Sequence, residues 1–499
     1  MPPSWIEADW TLIDGVFRPG VRIQIGDDGR IAAIEFASPD EERPAGGRSP
    51  STGPSSDEGR SPERSASERS ASERCAAARL HRRALLPGFV NVHSHAFQRA
   101  LRGFGESYPA GMGDFWSWRE AMYGLVERLD PPTFKRITLH AFREMLAAGI
   151  TTVGEFHYVH HADIDAQDFA LDELVIEAAK EAGIRLVLLL CFYKTGGVGK
   201  PLVGGQRRFA TPDVERFVRQ FERLEKLLDP RTQSIGLAPH SLRAVPPDDL
   251  KSLKAEADRR GVVCHTHIEE QRKEIEEVRA ALGVSPLVWL LDNTPLGPRD
   301  TIIHATHSTP PDLRRYLASG AHIGVCPLTE GNLGDGIAEG GLIQQLGAGV
   351  CIGSDSNIRI DFAEELRWLE FVQRLRAEKR GVCKEADGEL ARRLWRCGTS
   401  NGAVSLGLDG IRRVHGSALP AAPVRVGEIC VGAAADFLTI DLDAPTLDGW
   451  TSQTLLASWL LGAGRECVRD VCVAGAWTAP PAPGGSRDLF PNPPRQAAG

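Results

Sequence analysis

LLPGFVNVHSH (Leu85–His95) is an apolar run that closes on two histidines two residues apart. Alternate residues on a strand point to one side, so His93 and His95 can aim both imidazoles at a single ion. Two imidazoles do not complete a catalytic metal site, which takes three protein ligands and keeps an open position. The chain holds seven more runs of the same character: TTVGEFHY, RLVLLLCFY, SIGLAPHS, GVVCHTHI, TIIHATH, HIGVCPLT and GVCIGSDS. Stretches of helical period, such as PTFKRITLHAFREMLAAG and DELVIEAAKEAG, separate most of them. Continuous apolar strands alternating with helices predict an α/β fold with a parallel sheet covered on both faces. Eight such units predict a (β/α)8 TIM-like barrel, whose active site sits at the C-terminal strand ends. Nearly every run ends there in a polar residue.

The barrel is expected over residues 85–420. Residues 1–37 alternate short apolar stretches with turn signals (IDG, GDDG) and read as a few antiparallel strands. Beyond the barrel, VRVGEICVGAAADFLTIDLDAP and RDVCVAGAW again read as short strands, so 421–480 is expected to join 1–37 in one small β-sandwich domain, followed by a tail at 481–499. Both termini of a barrel can emerge close together, which lets the barrel sit between the two halves of that domain. Residues 38–84 contain a polar tract with SASER twice in tandem (Ser65–Arg69, Ser70–Arg74) and GRSP twice. So few apolar residues cannot pack, and a disordered surface insertion is expected, a regulatory phosphorylation segment being the other reading.

Composition narrows the function classes. The 499 residues are 42% apolar and 25% charged, ordinary for a globular chain, with one large and one smaller domain as the natural division. A net charge of −8 and a pI near 6.0 give no footprint for nucleic acid or an anionic membrane. MPPSWIEADWTLIDG has no basic segment followed by an apolar one, so no secretory leader is expected, and no run reaches the roughly 18 apolar residues of a membrane span. Ten scattered cysteines without a C-x-x-C pair read as reduced thiols of a cytoplasmic protein.

The strand ends, taken in order, carry His93 and His95 on the first, His267 with Glu270 on the fifth, His304 on the sixth and Asp355 on the eighth. Imidazoles with one carboxylate suit a borderline ion such as zinc, which moves the pKa of water toward neutrality. Asp355 can touch both metal and water and so accept a proton, and Glu270, just past its strand, can reach a leaving group. Each residue has a plainer reading: a satisfied core histidine in CHTH, a turn or cap aspartate in GSDS, a solvated helical face in IEEQRKEIEEV. Independent plain readings for all of them, each at the end of its own barrel strand, are far less economical than one metal site.

This pattern resembles the amidohydrolase superfamily, in the mononuclear branch that deaminates and dechlorinates C=N substrates. The bridging lysine of the dinuclear branch has no counterpart, since the fourth strand offers APHS. Within the branch the chain is similar to the formiminoglutamate deiminase family of histidine degradation. The stretches that carry the likeness are VNVHSHAFQRALRG, FWSWREAMY, GITTVGEFHYVHH, LLCFYKTGGVGKP, APHSLRAV, CHTHIEEQRKEIEE, CPLTEGNLGDGI and GSDSNIRIDFAEELRWLE. The resemblance implies one zinc ion (Fe2+ being the other candidate) on His93, His95, His267 and Asp355, with Asp355 as base and Glu270 and His304 positioning water and shuttling protons. It implies a small acidic substrate, N-formimino-L-glutamate, hydrolysed to N-formyl-L-glutamate and ammonia. Two carboxylates call for fixed cationic donors, which Arg119 and Arg243 supply, with Gln98, Tyr158 and His240 orienting by hydrogen bonds. A homodimer is expected. The chain departs from the family at NIRIDF, where a histidine or similar polar residue is expected after the aspartate-serine pair, and in the insertion.

Two other readings stay open at this point. A deaminase of a heterocycle such as guanine would show an aromatic, charge-poor pocket in place of paired arginines. A noncatalytic barrel scaffold would have lost ligands, and none is missing here.

Overall fold

The computed structural model describes residues 4–37, 77–104, 115–339, 349–410 and 424–478, together with 106, 108 and 113. The terminal strands are β1 (Ser4–Ile13), β2 (Val16–Arg18), β3 (Val21–Ile25), β4 (Ile31–Phe36) and β5 (Ala78–Pro87). The barrel strands are β6 (Phe89–Ser94), β7 (Ile150–His157), β8 (Arg185–Phe192), β9 (Gln233–Pro239), β10 (Cys264–Ile268), β11 (Asp300–His304), β12 (His322–Val325) and β13 (Val350–Ile352). The chain returns to the terminal sheet with β14 (Phe437–Asp441), β15 (Val468–Val473) and β16 (Ala476–Thr478).

Strands β6 to β13 follow one another in sequence order, all parallel, as the eight apolar runs require. Every residue of β6, β7, β8 and β10 is buried, because helices cover one face and the barrel interior the other. The barrel closes beyond the end of β13, where Ser94 and Asp355 form a parallel bridge. His95 N donates to Asp355 O (2.9 Å), and Ser354 N and Asp355 N both donate to His93 O (3.0 Å each). No side chain fits at Gly353, whose Cβ would lie 2.7 Å from His93 Cβ. At the other end of the barrel, the Phe89 ring lies 5.1 Å from Trp395, 5.4 Å from Phe362 and 5.5 Å from Trp459, plugging the floor with apolar rings.

The terminal strands form one mixed sheet in the order β16-β15-β14-β5-β1-β3-β4, with β2 paired to β1. The N-terminal and C-terminal halves meet where β5 pairs antiparallel with β14, Leu86 opposite Leu438. The sheet curls until its far edge returns: Ile31 N donates to Ala433 O (2.8 Å) and Gly432 N to Ile31 O (2.8 Å). Ile6, Ile23, Ile31, Leu85 and Phe437 fill the small core thus enclosed, which is the sandwich expected from the sequence. Arg185, at the start of β8, clamps Asp436 with two bonds of 2.7 and 3.0 Å, fixing the barrel floor to this sheet.

One boundary differs from the sequence reading. Residues 78–84, counted there within the insertion, are strand. ARLHRRAL reads as polar, yet its backbone is paired on both sides, by β1 and β14, while its charged side chains stay outward or form ion pairs such as Arg83–Asp441. The rest of the expected insertion, residues 38–76, lies outside the described residues, as do 411–423 and the tail at 479–499.

Candidate active site

The strand ends converge as their order predicts. His93 is the next-to-last residue of β6 and His95 follows the strand, His267 lies within β10, His304 ends β11, and Asp355 stands three residues beyond β13. His93 Nε2 is 3.2 Å from His267 Nε2 and 3.4 Å from Asp355 Oδ1, and His95 Nε2 is 3.3 Å from the same oxygen. All four are buried. His95 Nδ1 donates to the Phe156 carbonyl (2.8 Å) and His267 Nδ1 to the His240 carbonyl (3.0 Å), so each turns an unprotonated Nε2 toward the centre. Burial pushes the His93 imidazole down to about 3 and lowers His95 and His267 as well. Burial works to raise the Asp355 carboxyl, but the His93 hydrogen bond and the facing imidazoles hold it well below the usual carboxylate range.

Imidazole nitrogens little more than 3 Å apart repel unless a proton or a cation lies between them, and one ion answers the Nε2 atoms of His93, His95 and His267 together. Donors at about 2.0–2.1 Å from one tetrahedral ion stand about 3.3–3.4 Å apart, which is the spacing found. Two trios that share His93, one with His95 and Asp355 and one with His267 and His304, have the donor spacing of a divalent metal site.

His304 points its Nε2 toward Asp355 Oδ2 (3.8 Å) and Glu270 Oε1 (3.7 Å), while its Nδ1 is 3.3 Å from Glu330 Oε1. Burial would lower this imidazole, but Glu270, Glu330 and Asp355 together hold it up at about 10. His304, Ala305, Asp355 and Asn357 all have positive φ (69°, 52°, 42° and 56°), conformations that non-glycine residues rarely adopt. Asn357 secures the bend after β13: its Nδ2 donates to His95 O (3.1 Å) and Asp355 O (3.0 Å), and its Oδ1 accepts from Ser354 Oγ (2.7 Å). This is the first residue of NIRIDF, the stretch that departs from the family pattern, and here it ties the barrel seam together beside two proposed ligands.

A cavity opens onto this cluster. Gln98, Arg119, Tyr158, His240 and Arg243 all line it, together with His95, His267, Glu270, His304 and Asp355. Gln98 Nε2 donates to Tyr158 OH (2.7 Å). Arg119 reaches in from the helix Phe115–Arg128, donating to Tyr193 OH (3.2 Å) with the Tyr123 ring 5.3 Å away. Arg243, in the loop after β9, donates to Glu270 Oε2 (3.3 Å). Sequence reasoning missed Tyr123, Tyr193, Trp118, Phe209 and Glu330. Tyr193 follows β8 directly, in the same place that Tyr158 occupies after β7, so the strand-end rule that found one could have found the other. The aromatic residues Phe115, Trp118 and Phe209 come from helices and loops and carry no such mark.

Comparison with known proteins agrees with this geometry. A model of the amidohydrolase family matches residues 84–478. A formimidoylglutamate deiminase of Pseudomonas aeruginosa is 40% identical over 400 residues, 79% of this chain and 84% of that protein. A 5-methylthioadenosine/S-adenosylhomocysteine deaminase of Natronomonas pharaonis is 29% identical over 394 residues, 78% of this chain and 80% of that protein. Among solved structures, an amidohydrolase from Brucella melitensis superposes with a TM-score of 0.77 at 32% identity, covering 95% of this chain and 94% of its own. The zinc-complexed atrazine chlorohydrolase of Arthrobacter aurescens shares the fold, at a TM-score of 0.72 and 19% identity, with 95% and 94% covered. With barrel, strand-end histidines and family match in agreement, the chain belongs to the amidohydrolase family.

Proposed function

We propose that the protein hydrolyses N-formimino-L-glutamate to N-formyl-L-glutamate and ammonia, using one zinc ion held by His93, His95, His267 and Asp355. The observation that carries this reading is the pair of arginines, Arg119 and Arg243, lining one cavity with the histidine–aspartate cluster. A substrate with two carboxylates and a formimino group needs both features in one place. The likeness to the Pseudomonas aeruginosa deiminase supports the same substrate.

Zinc, when bound, supplies Lewis-acid activation of water at neutral pH. Asp355 divides its labour between two oxygens. Oδ1 faces His93 and His95, and Oδ2 faces His304, where it accepts the proton that water loses as its oxygen attacks the formimino carbon. His304, held cationic by its three acidic neighbours, steadies the negative charge developing on the adduct. Glu270 stands between His304 and Arg243 and carries a proton to the departing nitrogen, so that ammonia leaves and the carbonyl forms. One water is consumed and one ammonia released. Arg119 and Arg243 hold the two carboxylates, and Gln98, Tyr158 and His240 set the orientation.

One zinc per chain, a homodimer and a cytoplasmic location complete this reading. The nine described cysteines are all free thiols, in accord with a reducing compartment, and no helix among the described residues is long and apolar enough to cross a membrane. One observation favours a second reading: the cavity is also aromatic, with Phe115, Trp118, Tyr123, Tyr158, Tyr193 and Phe209 around it. An aminohydrolase acting on a heterocycle would use such rings for stacking.

Arg243→Met separates the two. Losing a charge-assisted contact to a carboxylate costs about 1.5–3 kcal/mol, so kcat/KM for formiminoglutamate should fall at least roughly tenfold while zinc content holds. Unchanged kinetics on formiminoglutamate, or ammonia released faster from guanine or an adenosine, would move the heterocycle reading ahead.

A further inference from the structure

The Arg243 guanidinium already serves two carboxylates. Its Nη2 donates to Glu270 Oε2 at 3.3 Å, and its Nε stands 3.8 Å from Glu274 Oε2. The three side chains are 6%, 7% and 0% exposed. Glu274 lies in the first turn of the helix Arg272–Leu282, and neither of its oxygens has a hydrogen-bond partner among the described residues. The charged groups that face it are Arg243 from the loop after β9, and Glu270 and Glu269 from the loop after β10. Glu269 is occupied elsewhere, accepting from Leu287 N (3.0 Å) and Ser308 Oγ (2.6 Å). Glu270 also faces the His304 imidazole, so among the described residues an ionised Glu274 has only Arg243 to balance it in this dry setting. A third carboxylate, brought by a substrate, would then meet repulsion where attraction is required.

We propose that Glu274 is the positioning residue for Arg243 and takes up one proton from solvent when a substrate carboxylate docks on that guanidinium. The inference rests on Arg243 being a carboxylate contact, as read above. Glu270 has the His304 imidazole 3.7 Å away as well as Arg243, whereas the one cation beside Glu274 among the described residues is Arg243, so the proton goes to Glu274. Burial, opposed in part by Arg243, holds the Glu274 carboxyl up at about 7, within reach of ordinary pH. The sign follows. Below about pH 7 Glu274 is already neutral and the carboxylate docks without uptake. Above it Glu274 is ionised, and docking must recruit a proton, weakening by up to about tenfold per pH unit.

Calorimetric titration of the zinc-loaded protein with N-formyl-L-glutamate, in phosphate and in Tris, counts protons from the dependence of the heat on buffer. Wild type should take up about one proton at pH 8 and almost none at pH 6, and Glu274→Gln almost none at either. In parallel, KM for formiminoglutamate should rise between pH 7 and 8 in wild type and stay flat in the variant, a change that mere support of the fold would not produce. No uptake by wild type at pH 8 overturns the proposal whether or not the variant folds, and equal uptake in both proteins assigns the proton to another group. If N-formyl-L-glutamate does not bind wild type at all, the acidic-substrate reading falls and takes this inference with it.

Discussion

At the mouth of the barrel, His93, His95, His267 and Asp355 bring three imidazoles and a carboxylate together. On the helix side of β7, His157, His160 and Asp172 bring together two more imidazoles and another buried carboxylate, again within metal-binding distance of one another. The second cluster is complete without an ion. His157 Nε2 and His160 Nδ1 both donate to Asp172 Oδ1 (2.9 and 2.8 Å), His160 Nε2 lies 2.7 Å from the Cys191 carbonyl, and Gln220 Nε2 donates to Asp172 Oδ2 (2.7 Å). At the mouth, by contrast, backbone carbonyls take the Nδ1 protons of His95 and His267 and leave their Nε2 lone pairs facing inward. What separates the candidate metal site from a structural knot is therefore, at His95 and His267, where the second nitrogen of the ring goes.

The largest expected effect tests that difference directly. His267→Ala should strip most of the zinc and abolish ammonia release, because it removes one of three neutral ligands. His160→Ala should leave metal content at the wild-type level and instead lower stability by about 1–3 kcal/mol, since Asp172 and the Cys191 carbonyl each lose a partner. Metal analysis beside urea melts reads both. Stoichiometric zinc in His267→Ala, or zinc lost in a folded His160→Ala, would erase the distinction between the clusters.

The aspartates give a smaller contrast. Asp355→Asn keeps the shape and removes the base, so kcat should drop roughly 10^2–10^4-fold with substrate affinity largely retained. Asp172→Asn should leave kcat within about twofold at 25 °C, because the carboxylate faces helices and touches nothing in the cavity, and should show up as a lower melting temperature. A kcat lost in parallel with Asp355→Asn would mean that the outer knot governs the chemistry.

Much of this was readable beforehand. Eight apolar runs with polar ends locate eight strands, because a parallel barrel buries both faces and exposes only strand ends. The alternation in HSH places two rings on one side. HYVHH (residues 157–161) looks just as much like a ligand motif, and sequence alone does not say that His157 ends on the helix side of its strand while Tyr158 enters the cavity. Glu274 was hidden for a related reason. Within IEEQRKEIEEV it reads as part of a solvated face, and only the approach of Arg243 from another loop makes it buried. Residues 78–84 escaped because a charged strand held between two neighbours satisfies its backbone without apolar side chains. Pairings that cross between distant segments leave little trace in local pattern.

The smallest effect concerns His161, which adjoins the outer knot and sharpens the contrast through pH. Its Nδ1 accepts the Phe169 N–H (3.1 Å) and its Nε2 donates to the Ala210 carbonyl (2.8 Å), so the ring is fixed as neutral imidazole. Burial, aided by the neighbouring His160, pushes it down to about 4. An unfolded chain binds a proton on this residue near pH 6.5, whereas the folded chain does not until about 4. The stability it contributes is therefore full above pH 6.5 and drains away as pH falls toward 4, by about 1–3 kcal/mol. Burial works to raise Asp172, but His160 and His157 hold it low, so it stays ionised in the folded chain, and the slope it adds toward pH 4 is common to wild type and His161→Gln and cancels. Urea unfolding of metal-free wild type and His161→Gln at pH 7, 5.5 and 4.5 isolates the effect, since the titration of the mouth histidines is common to both proteins and cancels. The stability advantage of wild type should shrink steadily toward pH 4.5. An advantage that stays constant with pH would show that the ring is not locked in its neutral form, and that the outer histidines are less committed to their hydrogen bonds than those at the mouth.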